Sequence, residues 1–323
     1  MIKVAETPKE LPDMAKKKVP HGLWPVMLNA FNEDGTIAWS GIDVLTDWYI
    51  ENGSAGLFAC CGSSEMFHLD NDERLDVTRH VVKRAEGRVP VVATGTFGGP
   101  VEDQAEFVRR MADTGVDAVV VIVCLLAERN EGEEILKRNI ERLVDLTNPI
   151  DLGLYECPTP YHRKLSPDLL GHLSRTERFL YHKDTVCDIK QLRPKIDAAR
   201  ETPLGVYNAH FETGLESLRY GAAGISPVAA NVFPELFSWL CAEYDKQPFV
   251  ADEVQRMMTS VAPIVSNKYL VTCKRYLQRI GLPITVRCRA TDASLTAFDE
   301  GLIDGLQTSV NRFSEVLGIS RSL

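Results

Sequence analysis

The sequence has no long hydrophobic run, no excess of basic residues and no leader of the secretory type. No segment reaches the length of apolar residues that is needed to span a bilayer, and the start, MIKVAETPKELPDMAKKK, lacks the apolar stretch of a signal peptide. The net charge of −9 argues against nucleic-acid binding, which needs a basic face. We therefore expect a protein that engages neither a membrane nor a nucleic acid.

Paired cysteines and the usual metal and nucleotide motifs are also missing. The eight cysteines show no spacing typical of a disulfide framework or a zinc site, and several lie in apolar runs such as LFACC and VVVIVC. This usage favours the reducing cytoplasm. The seven histidines form no HExxH pair and no tight cluster with carboxylates, so we expect no metal. No P-loop or GxGxxG fingerprint follows a predicted strand, and we expect no cofactor.

What the sequence does contain is an eightfold alternation of short apolar runs and longer amphipathic segments. Near-continuous apolar strands, each followed by a helix, are typical of a parallel sheet that is covered on its outer face. Eight such units before residue 245 predict an α/β fold, a closed (β/α)8 TIM barrel, rather than an open doubly wound sheet. The runs are Leu23–Ala30, Ala55–Cys60, Val89–Gly95, Ala118–Cys124, Leu152–Cys157, Phe179–Lys183, Leu204–Asn208 and Ala223–Val228, and the helical patterns include Asp72–Ala85, Val101–Thr114, Glu133–Leu146, Pro167–Ser174 and Glu212–Tyr220.

The chain is predicted to have three parts. Residues 1–21 form an N-terminal extension, residues 22–245 the barrel and catalytic domain, and residues 246–323 a C-terminal helical extension packed on the barrel. Helical periodicity marks the last part. Its apolar positions are Val254, Met257, Met258, Val261 and Ile264.

The sixth run, FLYHKDT, ends with a lysine at the carboxyl end of a buried strand, where such barrels carry their chemistry. Alternation along the strand places Lys183 on one face with Phe179 and Tyr181, and turns His182 toward the helix layer. Burial lowers the pKa of a lysine from about 10.4 and leaves the free amine that attacks a carbonyl. The alternative is a lysine that ends the strand and pairs with Asp184.

Other polar side chains end neighbouring runs. Tyr155 ends the fifth run, GLYECP, where its phenol could move protons between water and substrate. The alternative is a core tyrosine that bonds a carbonyl group. Adjacent strands deliver Tyr155 and Lys183 to the same barrel mouth, which favours the catalytic interpretation. His162 and His210 follow strands as candidates for substrate contact.

The loop after the second run, CGSSEMF, offers hydroxyls and consecutive backbone N–H groups. Gly62, Ser63 and Ser64 suit a carboxylate or an oxyanion, although Gly-Ser-Ser also forms ordinary turns. Glu65 either orients this loop or caps the next segment.

With these residues in these places, the sequence resembles the dihydrodipicolinate synthase/N-acetylneuraminate lyase family of class I aldolases. The likeness runs from about Gly22 to at least Val232 and continues weakly through the helical tail. Its landmarks stand in order: CGSSE after strand two, ATGTFG after strand three, then LYECP, YHKDT and GAAGISPVAANVFPEL.

The resemblance implies roles for particular residues. Lys183 would form an imine with pyruvate or a related 2-oxo acid, and Tyr155 would relay protons. Ser63 and neighbouring backbone N–H groups of its loop would hold the carboxylate, and Ser226 falls where the family makes a main-chain contact to the oxo acid. The resemblance also implies a homo-oligomer, a dimer or a tetramer.

The sequence departs from the family pattern in three features. The loop Gly-Thr-Thr-Gly-Glu of the family is here Cys61 to Glu65, where Gly62 replaces the first threonine and loses its hydroxyl. The synthases carry an arginine for the aldehyde's carboxylate where this chain has Pro160. They also present a tyrosine across the subunit interface, where this chain reads CLLA from Cys124 to Ala127.

These observations favour a lyase that acts on a 2-oxo acid together with an aldehyde or a sugar acid. The reaction would be aldol cleavage, condensation or dehydration of a hydroxy-oxo acid. Dihydrodipicolinate synthase proper, a non-catalytic relative that binds a 2-oxo acid and a metal-dependent barrel hydrolase are the alternatives. The sequence leaves the second substrate open.

Overall fold

The computed structural model describes residues 18–319, so most of the predicted N-terminal extension lies outside the described residues. In this part of the chain, eight strands alternate with helices, and three helices follow the last unit. The strands are β1 (Gly22–Leu23), β2 (Leu57–Phe58), β3 (Val91–Thr94), β4 (Ala118–Ile122), β5 (Leu152–Tyr155), β6 (Phe179–Asp184), β7 (Gly205–Asn208) and β8 (Gly224–Ile225). The helices are α1 (Trp39–Glu51), α2 (Asn71–Ala85), α3 (Val101–Ala112), α4 (Glu133–Leu146), α5 (Pro167–Ser174), α6 (Ile189–Ala199), α7 (Gly214–Tyr220), α8 (Pro234–Glu243), α9 (Pro248–Ser266), α10 (Tyr269–Arg279) and α11 (Ala297–Leu317).

The eight strands form one parallel sheet in the order β1-β8-β7-β6-β5-β4-β3-β2. The segment after β1 joins β2 through a parallel bridge between Val26 and Phe58. Phe58 N donates to Pro25 O at 3.0 Å, and Met27 N donates to Phe58 O at 3.0 Å. These bonds connect the two ends of the sheet, so the predicted α/β fold, a (β/α)8 TIM barrel with C-terminal helices, is confirmed.

The predicted boundaries hold best where capping signals are clear. Asp70 Oδ1 accepts from Glu73 N at 2.8 Å and Asp70 N donates to Glu73 Oε2 at 3.1 Å, which forms a capping box at the start of α2. The first predicted run, Leu23–Ala30, is much longer than β1. Pro25 interrupts it because proline has no N–H to donate to a ladder.

Aromatic side chains fill the barrel interior. The Trp24 ring lies 5.1 Å from the Tyr181 ring, which stacks on Tyr207 at 4.8 Å between centroids. Gly56 is required beside this cluster, because a Cβ there would lie 2.4 Å from the Trp24 ring. The interior is therefore a packed core and not an open channel.

The helices after the barrel cover its outer surface and reach its mouth. Helix α9 contacts α7, α8, α10 and α11. Its predicted apolar face is largely the buried one, with Val254 and Met258 fully buried, whereas Ile264 is half-buried and Val265 occupies the buried position. Across residues 18–319, no helix combines the length and the apolar character needed to cross a membrane.

Candidate active site

Two predicted site residues lie side by side where β5 and β6 end. Tyr155 pairs with Lys183 in the register of the two strands. The Lys183 Nζ atom lies 4.7 Å from the centroid of the Tyr155 ring. Only 4% of Lys183 and 5% of Tyr155 is exposed. The structure therefore brings an amine and a phenol together at the carboxyl end of the barrel, where both side chains are almost inaccessible to solvent.

Lys183 has no acidic partner among the described residues. Burial lowers its pKa below the usual lysine value, although the neighbouring Cys61 and Cys157 thiols oppose this shift. Asp184 is engaged elsewhere, because its Oδ2 atom accepts from Lys195 Nζ at 2.7 Å. The alternative that Lys183 merely ends the strand and pairs with Asp184 is thus excluded by the geometry.

Tyr155 is held between an aromatic ring and a thiol. Its ring meets Phe58 edge-on at 5.7 Å. Burial raises the pKa of the Tyr155 hydroxyl well above its usual value, and the nearby Cys157 and Cys61 raise it further. The phenol is therefore protonated at neutral pH and can donate a hydrogen bond.

The loop after β2 lies next to this pair. A Cβ on Gly62 would lie 3.7 Å from the Tyr155 hydroxyl oxygen. Ser64 Oγ accepts from Cys61 N at 2.7 Å and donates to Cys61 O at 2.9 Å, so its hydroxyl closes the turn. Ser63 Oγ instead accepts from the Tyr269 hydroxyl at 2.8 Å. The two serines that the sequence treats alike therefore have different surroundings.

Glu65 orients this loop rather than capping the next turn. It takes a left-handed backbone conformation with φ of 60°, and its side chain makes no cap. Its Oε1 atom accepts from Lys274 Nζ at 2.8 Å. Its Oε2 atom accepts from Arg289 N at 2.6 Å and from Ala290 N at 2.7 Å. The buried carboxylate thus joins the loop to the C-terminal helices.

Ser226, which follows β8, is fully buried inside the barrel. Its Oγ atom accepts from the Tyr181 hydroxyl at 2.8 Å and donates to Trp24 O at 2.7 Å. Its backbone N donates to Asn208 O at 2.8 Å. The hydroxyl therefore belongs to the aromatic core beneath the site.

The two candidate histidines contact the loops around the rim. His162 is exposed, and its Nε2 atom lies 2.8 Å from Thr185 Oγ1. His210 Nδ1 lies 3.1 Å from Thr213 Oγ1, and His210 Nε2 lies 3.2 Å from a Glu212 carboxylate oxygen. The His162 ring contacts the loop after β6 and the His210 ring contacts its own loop, and no described contact joins either histidine to Lys183.

Arg163 is already engaged by backbone carbonyl groups. Its Nη2 atom donates to Glu128 O at 2.6 Å and to Glu131 O at 3.0 Å, in the loop after β4. Pro160, at the position of the family arginine, has no side-chain donor. The rim near β5 therefore presents no free guanidinium from this segment.

A buried ionic cluster lies on the opposite face of β5 and β6, and our expectation that no tight histidine–carboxylate cluster exists was wrong. Glu156, His182 and Asp184 bring potential metal ligands within 4.8 Å of one another. Lys195 Nζ of α6 bonds both carboxylates and so occupies the place where a metal ion would otherwise bind. Burial alone would raise the pKa of Asp184, but His182 and Lys195 lower it to about 2. The prediction that His182 faces the helix layer agrees with this arrangement.

Sequence reasoning missed the contribution of α10. Tyr269 and Lys274 reach Ser63 and Glu65 across more than 200 residues of chain. A helical pattern marks only which face is buried and does not identify the loop that it meets. The available signal was a charged residue, Lys274, among the positions that α10 buries.

The comparisons with known proteins identify the family. A model of the Dihydrodipicolinate synthetase family matches residues 19–297. The chain belongs to this family. It is 27% identical over 221 residues to a 4-hydroxy-tetrahydrodipicolinate synthase of Nitrosococcus oceani, which covers 68% of this chain and 74% of the relative. It is 26% identical over 256 residues to the synthase of Marinobacter nauticus, covering 77% and 85% of the two chains.

Solved structures of the family share the fold. A dihydrodipicolinate synthase from Acinetobacter baumannii, complexed with pyruvate, has a TM-score of 0.80 at 22% identity and covers 90% of this chain and 99% of its own. A prophage protein of the same family from E. coli K12, also in complex with pyruvate, has a TM-score of 0.81 at 20% identity and covers 90% and 98%. At these identities the likeness concerns the fold alone.

Proposed function

We propose that this protein is a lyase that forms a Schiff base between Lys183 and pyruvate or a related 2-oxo acid. The observation that carries the proposal is a buried amine whose pKa is lowered and which has no carboxylate partner among the described residues. An unprotonated amine is the form that attacks a carbonyl carbon. The pyruvate complexes of two fold relatives agree with this substrate class.

The chemistry follows from the two side chains at the strand ends. The Lys183 amine adds to the carbonyl carbon C2, and loss of water gives an iminium ion. Breaking the C3–C4 bond leaves its electron pair in an enamine, whereas in a dehydration the enamine expels the hydroxyl from C4. Tyr155 moves the protons that these steps require. Because the iminium ion is the electron sink, no cofactor is needed.

Carboxylate binding falls to the loop after β2. The Ser63 hydroxyl and the backbone N–H groups around Gly62 and Ser64 are the donors we assign to the carboxylate of the 2-oxo acid. The Ser226 main chain and His210 are assigned to the remaining substrate contacts. This assignment follows the family resemblance.

The second substrate is proposed to be neutral or hydroxylated rather than a second carboxylate. A bidentate arginine is the usual partner for a carboxylate. Here Pro160 occupies the position of the family arginine, and Arg163 is bound to backbone carbonyl groups. We therefore propose aldol cleavage, condensation or dehydration of a sugar-acid type of substrate by a cytoplasmic homo-oligomer, either a dimer or a tetramer.

The test is covalent trapping with borohydride and pyruvate. A reduced pyruvyl adduct is expected on the peptide that carries Lys183, and Lys183→Met should abolish it. Lys195 and Lys274 are matched internal controls, because both are buried but bound to carboxylates. An adduct on another lysine, or none in an active preparation, contradicts the proposal.

Dihydrodipicolinate synthase proper is the second candidate, because the similar relatives carry that name. It is tested by comparing aspartate semialdehyde plus pyruvate with a set of neutral and hydroxylated aldehydes. A kcat/KM of about 10⁴ M⁻¹s⁻¹ or above for aspartate semialdehyde would assign synthase activity. Weak condensation with it, and faster reaction of hydroxylated partners, is the result we expect.

A further inference from the structure

A chain of hydrogen bonds runs from the barrel wall to the loop that carries Ser63. Tyr269, the first residue of α10, donates from its hydroxyl to Ser63 Oγ at 2.8 Å. Asn231, in the turn after β8, donates from Nδ2 to the Tyr269 hydroxyl at 2.7 Å. Tyr49 of α1 donates to Asn231 Oδ1. The backbone N–H of Leu28 donates to the Tyr49 hydroxyl at 3.2 Å, which completes the chain.

The orientation of the Asn231 amide is fixed by its neighbours. Its Nδ2 atom lies 2.9 Å from Val26 O and 3.1 Å from Val228 O. Carbonyl oxygens only accept, so the amide nitrogen must face them. The amide oxygen then faces Tyr49, whose own oxygen already accepts from a backbone N–H. Asn231 is fully buried, so these partners surround its amide on all sides that the described residues reach.

The direction of the last bond follows from the number of protons. The Tyr269 hydroxyl has one proton, and its oxygen accepts from Asn231. Ser63 Oγ is the only acceptor that the described residues offer to that proton. Ser63 Oγ therefore accepts from Tyr269, and its own proton is left free to point into the barrel mouth. Burial raises the pKa of Tyr269, so it remains protonated and donates at neutral pH.

We propose that Tyr269 is a positioning residue for substrate recognition: it turns the Ser63 proton toward the carboxylate of the bound 2-oxo acid. The inference rests on the proposed function, because that ligand is the one bound to Lys183. A serine hydroxyl without such a donor rotates among several acceptors, whereas an oriented one gives a charge-assisted hydrogen bond. The C-terminal helices thereby complete the carboxylate site.

A second contact fixes α10 against the same loop. Lys274, five residues after Tyr269, bonds the Glu65 carboxylate at 2.8 Å, and both side chains are fully buried. Lys274 Nζ also donates to Arg287 O at 2.6 Å. The Lys274–Glu65 ion pair and the Tyr269–Ser63 hydrogen bond therefore both join α10 to the loop after β2.

The test uses the Tyr269→Phe variant, which removes the hydroxyl and keeps the ring. The pyruvate concentration that gives half-maximal trapping at Lys183 should rise about three- to tenfold, the effect of one net hydrogen bond. Half-maximal trapping by hydroxyacetone, a ketone without a carboxylate, should not change. Tyr220→Phe is the matched control, because it removes a hydroxyl that bonds Asp197 on the outer surface.

A double-mutant cycle separates positioning from general damage. In a Ser63→Ala background, Tyr269→Phe should have no further effect on pyruvate, because the residue through which it acts is gone. Additive effects, or equal weakening of both ketones, would overturn the inference. If Tyr269→Phe does not fold, Tyr49→Phe tests the same chain, with the same pyruvate-only weakening expected and equal weakening contradicting it.

The failure of the inference is distinguishable from the failure of the proposed function. If the unaltered protein traps no pyruvate at Lys183, the proposed function is wrong and this inference falls with it. If the unaltered protein traps pyruvate and Tyr269→Phe leaves its concentration dependence unchanged, the inference alone is overturned.

Discussion

Two buried lysines on neighbouring elements have opposite surroundings. Lys183 ends β6 at the barrel mouth, where an aromatic ring and two thiols surround it and the described residues offer it no carboxylate. Lys195 of α6 lies between the sheet and the helices, bonded to Glu156 and Asp184. Both are nearly inaccessible, with 4% and 2% exposed respectively.

The difference lies in what surrounds the same side chain: carboxylates surround the Lys195 amine, whereas apolar groups and burial lower the pKa of Lys183. A buried ammonium is stable when it faces carboxylates, and it loses its proton more readily when it faces apolar groups. Consecutive residues of β6 serve the two sites, since Lys183 faces the mouth and Asp184 serves the cluster behind the sheet. Strand alternation therefore separates a chemical site from a structural one by a single residue.

The largest effect is expected when the proton-transfer group beside Lys183 is removed. Tyr155→Phe should lower kcat by about 10²–10⁴-fold, the usual contribution of a general acid–base group. The ring contact with Phe58 is retained, so the melting temperature should change little. Steady-state condensation of pyruvate with the fastest partner from the aldehyde comparison measures this, with Tyr220→Phe as control. Unchanged turnover would place the phenol in the core alone.

The second prediction removes the cation of the structural cluster. Lys195→Met should lower the free energy of unfolding by about 3–5 kcal/mol, because it leaves two carboxylates buried without their partner. Denaturant titration measures the loss. The matched control is the triple variant Lys195→Met, Glu156→Gln, Asp184→Asn, which removes the charges together and should recover much of the stability. A single variant as stable as the unaltered protein would show that the cluster contributes nothing.

The sequence predicted the barrel and the neighbourhood of Lys183 and Tyr155, because both follow from local patterns. Apolar runs and helical segments repeat at short range, and strand alternation with strand adjacency then places two side chains at one mouth. Each of these steps involves residues close in sequence or on consecutive strands.

The cluster around Lys195 and the contacts of α10 could not be predicted in the same way. Lys195 lies in a helix whose rotation relative to β5 decides whether it meets Glu156, and the sequence does not fix that rotation. Tyr269 meets Ser63 across 206 positions of chain. Such pairings depend on how the helices after the barrel fold back, which is a property of tertiary packing. The partner of the Ser63 hydroxyl therefore could not be predicted from local sequence patterns.

The third prediction is a gain in the free energy of unfolding, opposite in sign to the loss predicted for Lys195→Met. Lys183→Met should abolish trapping yet raise the free energy of unfolding at pH 7 by about 1–3 kcal/mol, the cost of a buried donor without a partner. The lysine is retained at the expense of stability because an unpaired amine is needed at the mouth. Denaturant titration of both lysine variants under one condition gives the comparison. A loss of stability in Lys183→Met would mean that the amine has a partner in solution.

The smallest effect is the dependence of that gain on pH. The pKa of Lys183 is lowered in the folded protein, so the unfolded chain binds more protons between the folded pKa and the unfolded value of about 10.4. The destabilisation caused by Lys183 is complete below the folded pKa and disappears above the unfolded one. The advantage of Lys183→Met should therefore shrink as pH rises through this window.

Exposed Lys246 is the control with the opposite sign, because its hydrogen bond to Glu243 raises its pKa. The loss of stability caused by Lys246→Met is present at neutral pH and fades as pH rises through the folded pKa of Lys246. A constant advantage of Lys183→Met from pH 7 to 11 would show that the amine is not destabilised by burial, and the distinction between the two lysines would then rest on geometry alone.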